Sequence, residues 1–555
     1  LKQSKLPVLQ FKLLNTNKPM AGFKNILCMK KTALFIVSIA VYLAGFGQNA
    51  APVVFTISLS DTVQQIRNIG ASGCWYTEEI GSKWPAAQKQ RMAELLFSRA
   101  AGADGKPKGI GLSAFRFNIG GGTAEQGDSS GIADASHRVG CFLSPNGTYN
   151  WQKQAGYTWM LQQAKNYGVE NLIGFVNSPP VQFTQNGLGY KLQKDFTANL
   201  KEDKYEAYAD FLATVVKHFD SLKLHFNYIS PVNEPQWDWS DIYGKAKQEG
   251  SPWTNAEIFK TVEALNISLN NKKLKTDILV TEAGMLSFLY GGNTKASKQV
   301  QEFFNPSGSL YMGGLNHVTP YVEGHGYFTE EGNSNLINTR SRLRDTLRKY
   351  GKGLEYWQSE YCMLGDGYKD GTKTDRSAMD CALFLAKIIH TDFTAGNATA
   401  WHYWNSYEPG RADSNTRYYL IALNKASDKA GLFTVTKNLW ALGHYSLLVR
   451  PGMYRVNTLR SDGLSDTAAA KQVMVSAYRD AAAKTLVVNI INYTTQYQYS
   501  SIVLQGLTGG KKLTLVKRYV TSAKEGDDMK PYPLTASGGN VALPARSITS
   551  LVYQQ

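Results

Sequence analysis

The chain has 555 residues, of which 43% are apolar, 19% charged and 12% aromatic. That balance excludes a disordered chain, which would be poorer in aromatics and richer in charge, and the length exceeds one small domain. The formal charge is +16, but seven lysines fall in the first 50 residues, which carry no Asp, Glu or Arg; without them it is +9, spread without a long Lys/Arg run, so nucleic acid is not an expected partner.

The N-terminus reads as an address. Met29-Lys30-Lys31 precedes an apolar run from Ala33 to Phe46 and then Gln48-Asn49-Ala50-Ala51. A positive start, a short apolar core and small residues at the end describe a secretory leader over 29–50. The strongly apolar part is shorter than the roughly 20 residues of a spanning helix. Residues 1–28 read as sequence upstream of the natural start. The protein is therefore expected to be exported, to the periplasm, cell surface or medium, without stable membrane insertion. Cys74, Cys141, Cys362 and Cys381 follow the leader with no CxxC pair and no Cys/His cluster of zinc spacing. They read as small buried apolar residues, and no metal or cofactor is expected.

From residue 68 a single unit repeats. Short apolar runs at Asn68–Gly73, Gly111–Phe117, Asn171–Val176, Tyr228–Val232, Asp277–Ala283, Val322–Phe328, Leu354–Glu360 and Ala398–Trp404 read as strands. Amphipathic stretches lie between them; in Lys204–Asp220 the residues Tyr205, Tyr208, Phe211, Leu212, Val215, Val216 and Phe219 keep a helical period. Eight such units predict an α/β fold, a (β/α)8 TIM barrel over 68–449. A doubly wound open sheet is the rival, weakened by the lack of a Gly-rich phosphate loop. After Arg450-Pro451-Gly452 only strand-like runs remain: Lys471–Tyr478, Thr485–Tyr493, Ser500–Gln505, Lys512–Thr521 and Asn540–Tyr553. They predict a β-sandwich over 450–555, and the strand-like segment within 51–67 is expected to join it.

Barrel enzymes build their sites at the C-terminal strand ends. The fourth strand runs out at Asn233-Glu234-Pro235 and the seventh at Gln358-Ser359-Glu360-Tyr361, 126 residues later, or three units of 42. Two glutamates facing each other across a barrel mouth are what glycoside hydrolysis needs: one protonates the leaving oxygen, the other attacks the anomeric carbon or activates water. Glu282, on the fifth strand, is a direct competitor.

In order along the chain, these pieces resemble glycoside hydrolase family 30: Ile69-Gly70-Ala71-Ser72-Gly73-Cys74-Trp75, Phe115-Arg116-Phe117-Asn118-Ile119-Gly120-Gly121-Gly122, Asn177-Ser178-Pro179-Pro180, Asn233-Glu234-Pro235, Gly324-His325-Gly326-Tyr327, Gln358-Ser359-Glu360-Tyr361 and Leu543-Pro544-Ala545-Arg546-Ser547-Ile548-Thr549. The resemblance spans residues 66–553. Asn177 stands where the family usually carries Trp, which points away from the glucosylceramidase and xylanase branches and toward the endo-β-1,6-galactanase-like one.

The resemblance implies Glu234 as acid/base and Glu360 as nucleophile of a retaining mechanism, with the carboxyls about 5–5.5 Å apart. Arg116 is placed to favour the Glu360 anion, Tyr327 to hydrogen-bond it, and His325 to orient the acid or a sugar hydroxyl. Trp75, Trp237, Trp239, Trp401 and Trp404 follow or end strands and are candidate sugar platforms, with Trp404 the expected floor under the cleaved sugar. Asn118, Asn177, Ser178 and Asn233 are candidates for hydroxyl contacts, and loops Gly121–Tyr149 and Gln236–Trp253 for cleft walls. The expected protein is a monomeric exported hydrolase acting on polysaccharide, an endo-β-1,6-galactanase cutting arabinogalactan side chains. β-1,6-Glucanase, β-xylanase or glucosylceramidase-like activity and a catalytically inactive carbohydrate-binding protein are the alternatives.

Overall fold

A computed structural model describes residues 52–424, 431–482, 484–507, 512–534 and 540–555. The upstream segment and leader expected over 1–50 lie outside the described residues. No helix among the described residues is long and apolar enough to cross a membrane.

Eight parallel strands close into a barrel. In chain order they are Asn68–Ser72, Ala114–Asn118, Asn171–Phe175, Tyr228–Ser230, Asp277–Ala283, Val318–His325, Glu355–Tyr361 and Ala400–Tyr403, and the first pairs with the eighth from Asn68↔Ala400 onward. Each lies within a few residues of its expected place; the sixth ends at His325, leaving Tyr327 in the loop beyond. The helices form because their apolar residues recur at helical spacing and find the barrel wall. Helix Tyr205–Ser221 buries all seven periodic residues noted above. Helix Asn255–Asn271 begins with a capping box, in which the Thr254 side chain accepts from the Glu257 N–H and the Glu257 carboxylate from the Thr254 N–H.

Alternation along the strands sorts the barrel interior into layers. Ala114, Ile173, Leu279, Trp357 and Ala400 form an apolar plug, with Tyr228 and Tyr321 packed against it. Two residues further along the same strands stand polar groups: Arg116, Ser359, His402 and Glu323, all buried. The plug closes the bottom of the barrel, so this polar layer opens only toward the C-terminal strand ends.

Nine strands form one further sheet. Strand Val53–Gln65 sits inside it, antiparallel to Tyr454–Arg460 and parallel to Gln498–Gln505. The sheet folds over its own apolar core, which includes Phe55, Ile57, Val488, Ile490, Leu543 and Leu551. Its far ends meet where Arg518 donates to the Ala542 carbonyl, so the expected sandwich is built from one continuous sheet. Strand Tyr454–Arg460 was not expected, because buried Arg455 breaks its apolar alternation. The run Asn540–Tyr553 is two strands, Asn540–Leu543 and Ser547–Gln554, separated at Pro544-Ala545-Arg546, where Arg546 has a positive φ of 49°. Helix Lys437–Ser446 links sheet and barrel: both ring nitrogens of its buried His444 meet hydroxyls of the sheet, Ser550 at 2.6 Å and Thr521 at 2.9 Å. The four cysteines among the described residues are buried free thiols.

Candidate active site

Glu234 follows the fourth strand with φ 44°, held by its N–H donating to the Glu282 carbonyl at 2.9 Å and its own carbonyl accepting from Trp239 Nε1 at 3.0 Å. Glu282 and Glu360 both stand out of phase with strand alternation, since Leu279 and Trp357 face inward. Register shifts between Val280 and Ala283, and between Gln358 and Tyr361, break the phase. Thr281 and Glu282 take positive φ of 96° and 32°. Such irregularities re-aim side chains, and here both carboxylates turn into the barrel.

Their surroundings separate the three glutamates. Glu282 accepts from Arg116 NH2 at 2.6 Å, His325 Nε2 at 2.9 Å and Ser359 Oγ at 2.7 Å, and is fully buried. Burial pushes its carboxyl up, but Arg116 and His325 outweigh that and lower it to about 2. It is a fixed counter-charge, which resolves its competition with Glu360. Glu360 accepts from Arg116 NH1 at 2.8 Å and Tyr327 Oη at 2.9 Å. Burial holds it above the ordinary carboxylate value, opposed by His325 and Arg116. Glu234 accepts from His325 Nδ1 at 2.9 Å through Oε1. One carboxylate oxygen each of Glu234 and Glu360 lies within 4.8 Å of the other. That closeness suits the short carboxyl separation of a pair in which one carboxylate attacks directly.

Burial disfavours charge on His325, yet Glu360, Glu234 and Glu282 outweigh it and raise the imidazole to about 10. Glu234, His325 and Glu360 also have the spacing of metal ligands. A protonated imidazole with both nitrogens donating offers no lone pair, so the trio is a hydrogen-bond centre rather than a cation site. The charge on His325 stabilises the fold fully below about pH 6.5 and ceases to do so as pH rises through about 10. The melting temperature is expected to fall over that interval, more for the wild type than for His325→Gln; parallel curves would remove this role.

Two cavities meet at Glu234. One, of about 330 Å³, is lined by Glu234, Glu360, Asn233, Trp75, Trp404 and Glu408, among others. The second, of about 510 Å³, contains Glu234 but not Glu360, and is walled by Trp237, Trp239, Phe328 and Leu364. Trp404 meets Trp75 edge-on at 5.2 Å, and Trp75 stacks on His137 at 4.0 Å. Trp237 sits over Gly284, where a Cβ would come within 2.5 Å of its Nε1, and Trp239 over Gly250, where a Cβ would reach 2.3 Å from the ring. Glycine is required at both positions.

Both long loops reach the cleft: His137 of the first donates through Nδ1 to the Lys247 carbonyl of the second, 2.8 Å away. Buried Glu249 ties them further, accepting from Thr123 Oγ1 at 2.6 Å and the Gly121 N–H at 3.0 Å.

Of the residues named from sequence, Glu234, Glu360, Asn233, Tyr327, Trp75, Trp237, Trp239 and Trp404 line these cavities. Arg116 and His325 act from beneath, through the carboxylates. Asn177 also acts indirectly, its Oδ1 accepting from Asn233 Nδ2 at 3.1 Å. Ser178 turns its hydroxyl to the Pro179 carbonyl, and Asn118 is buried with both amide atoms unpartnered among the described residues. Trp401 is not part of the site. Ala400 and His402 face inward on its strand, so Trp401 points to the helix layer, fully buried, and donates to Asp392 Oδ2 at 2.9 Å. Sequence reasoning missed His137, Lys247, Gln248, Phe328, Leu364, Glu408 and Tyr418 as lining residues. All lie in loops or short connecting strands, where no periodic signal marks which side chain turns inward.

A closed (β/α)8 barrel with an attached sheet domain and two adjacent carboxylates at its mouth is the arrangement expected of a glycoside-cleaving enzyme. The chain belongs to O-glycosyl hydrolase family 30, whose sequence profile matches residues 52–415. It is 23% identical over 518 residues to the endo-beta-1,6-galactanase of Hypocrea rufa, covering 90% of this chain and 93% of that one. It is also 23% identical to glucuronoxylanase XynC of Bacillus subtilis (strain 168), over 73% of this chain and 78% of the relative. A conserved exported protein from Bacteroides fragilis shares the fold with a TM-score of 0.81 and 31% identity, across 90% of this chain and all of that one. The protein is thus an O-glycosyl hydrolase acting on β-glycans.

Proposed function

We propose that this enzyme is an endo-β-1,6-galactanase that cleaves galactan side chains with retention of configuration. The observation that carries the substrate is the match to the Hypocrea rufa galactanase along nearly the full length of both chains. The carboxylate spacing supports retention. In the first step a Glu360 oxygen bonds to the anomeric carbon as the glycosidic C–O bond breaks, and Glu234 gives its proton to the leaving oxygen. In the second, Glu234 takes a proton from water, whose oxygen displaces Glu360 from the same carbon. Arg116 and Tyr327 stabilise the Glu360 carboxylate when it departs, and His325 holds Glu234 through one oxygen and leaves the other for the proton. The cavity holding Glu360 takes the sugar to be cleaved, over Trp404, and the cavity walled by Trp237 and Trp239 takes the leaving portion. A cleft extending to both sides of Glu234 suits cutting within a chain. The leader-like segment over 29–50 supports export.

The test is reducing-sugar release from β-1,6-galactan, β-1,6-glucan, xylan and glucosylceramide, with proton NMR of the first-formed anomer. Release from galactan alone, with the β-anomer appearing first, is the expected result. Release from another member keeps the mechanism and removes the substrate. Binding without release by a folded protein would replace the enzyme reading with that of a carbohydrate-binding protein.

A further inference from the structure

Glu408 lies on the short strand Tyr407–Pro409, which follows the eighth barrel strand and pairs with Ile421–Leu423. It lines the cavity that holds Glu360, Trp75 and Trp404. Its Oε1 accepts from Asn405 Nδ2 at 3.1 Å, and no lysine, arginine or histidine pairs with it among the described residues. Burial pushes its carboxyl up to about 7; Asn405 opposes this and Asp134 adds to it. Cys362 and Tyr418 line the cavity beside it, and Lys247 and His137 stand elsewhere on the wall without bonding it. Glu408 is half-buried on the cavity wall, and among the described residues no hydrogen bond reaches its second oxygen. Sugar hydroxyls are the donors that fit a carboxylate beside aromatic faces.

We propose that Glu408 is the specificity-determining residue for the sugar held at the cleavage point, its second oxygen accepting a hydrogen bond from one ring hydroxyl. This rests on reading the Glu360 cavity as the side that holds the cleaved sugar. A site built to bond a hydroxyl discriminates against the analogue that lacks it, because the acceptor is then left unpaired beneath the bound sugar.

The experiment measures binding by NMR titration of methyl β-galactoside, its four monodeoxy analogues, methyl β-glucoside and methyl β-xyloside. It compares the wild type, Glu408→Ala and the isosteric Glu408→Gln, all checked for a native melting transition. One deoxy analogue is expected to bind the wild type about tenfold to a hundredfold more weakly than its parent. In Glu408→Ala the parent should fall to the level of that analogue and the difference vanish; Glu408→Gln, which keeps an acceptor oxygen, should retain part of it. Equal binding of all analogues by the wild type, discrimination that survives in Glu408→Ala, or no binding of any glycoside would each overturn the assignment. If glucoside or xyloside outbinds galactoside while the Glu408 effect holds, the galactan reading fails and this assignment stands.

Discussion

Glu360→Gln is expected to lower kcat by at least about 10⁴-fold while leaving glycan binding within a few-fold of wild type. The amide is the same size and can still accept from Tyr327, so the site keeps its shape. What it loses is the anionic oxygen that, in the proposed mechanism, bonds to the anomeric carbon. Azide separates the two carboxylates. With Glu360→Ala, azide enters the vacated space and displaces the leaving group directly, while Glu234 still supplies the proton; the glycosyl azide has inverted configuration. With Glu234→Ala and an activated aryl glycoside, azide attacks the glycosyl–Glu360 ester and the product keeps its configuration. Near-normal turnover by Glu360→Gln, or the same azide product from both variants, would refute the assignment of roles.

Arg116→Met is expected to reduce activity about as severely and to destabilise the fold by about 3–5 kcal/mol, the usual consequence of stranding a buried charge. Arg116 is fully buried and bridges Glu282 and Glu360 with separate nitrogens. Without it one histidine faces both carboxylates. Glu360, already raised by burial, then rises further, and because the proposed mechanism uses it as an anion the acid limb of the pH–rate profile moves to higher pH. Arg116→Lys keeps the charge but not the two-pronged geometry; it should fold and show the same displacement in smaller measure. Unchanged melting and an unchanged acid limb in both variants would show that the guanidinium does not set the charge of the site.

The architecture was legible because the forces that make it are local and periodic. Helix Tyr205–Ser221 announces itself by its apolar stripe, and the strand-end position of Glu234 and Glu360 follows from counting units. The aim of the side chains was not legible in the same way. Strict alternation turns Glu282 and Glu360 away from the barrel axis, and only the irregularities at the ends of the fifth and seventh strands turn them inward. The same alternation, read correctly on the eighth strand, excludes Trp401, since Ala400 and His402 take the inner face. Glu408 carried no signal, because it follows a short loop rather than a periodic element. Buried Arg455 hid a strand by standing where an apolar residue was expected.

Strand Val53–Gln65 lies between partners about 400 residues further along the chain. On the ribosome it emerges before every other described strand and must wait for Tyr454–Arg460 and Gln498–Gln505 before either of its edges can be hydrogen-bonded. Until then it is an unpaired strand with a buried-type apolar face exposed, the kind of segment that captures wrong partners. Barrel units can pair with their predecessors as they appear, whereas the sheet domain completes only when strands on both sides of the barrel sequence exist together. The sheet domain therefore closes after the barrel units have been made, with its earliest strand among the last pieces to be locked in place.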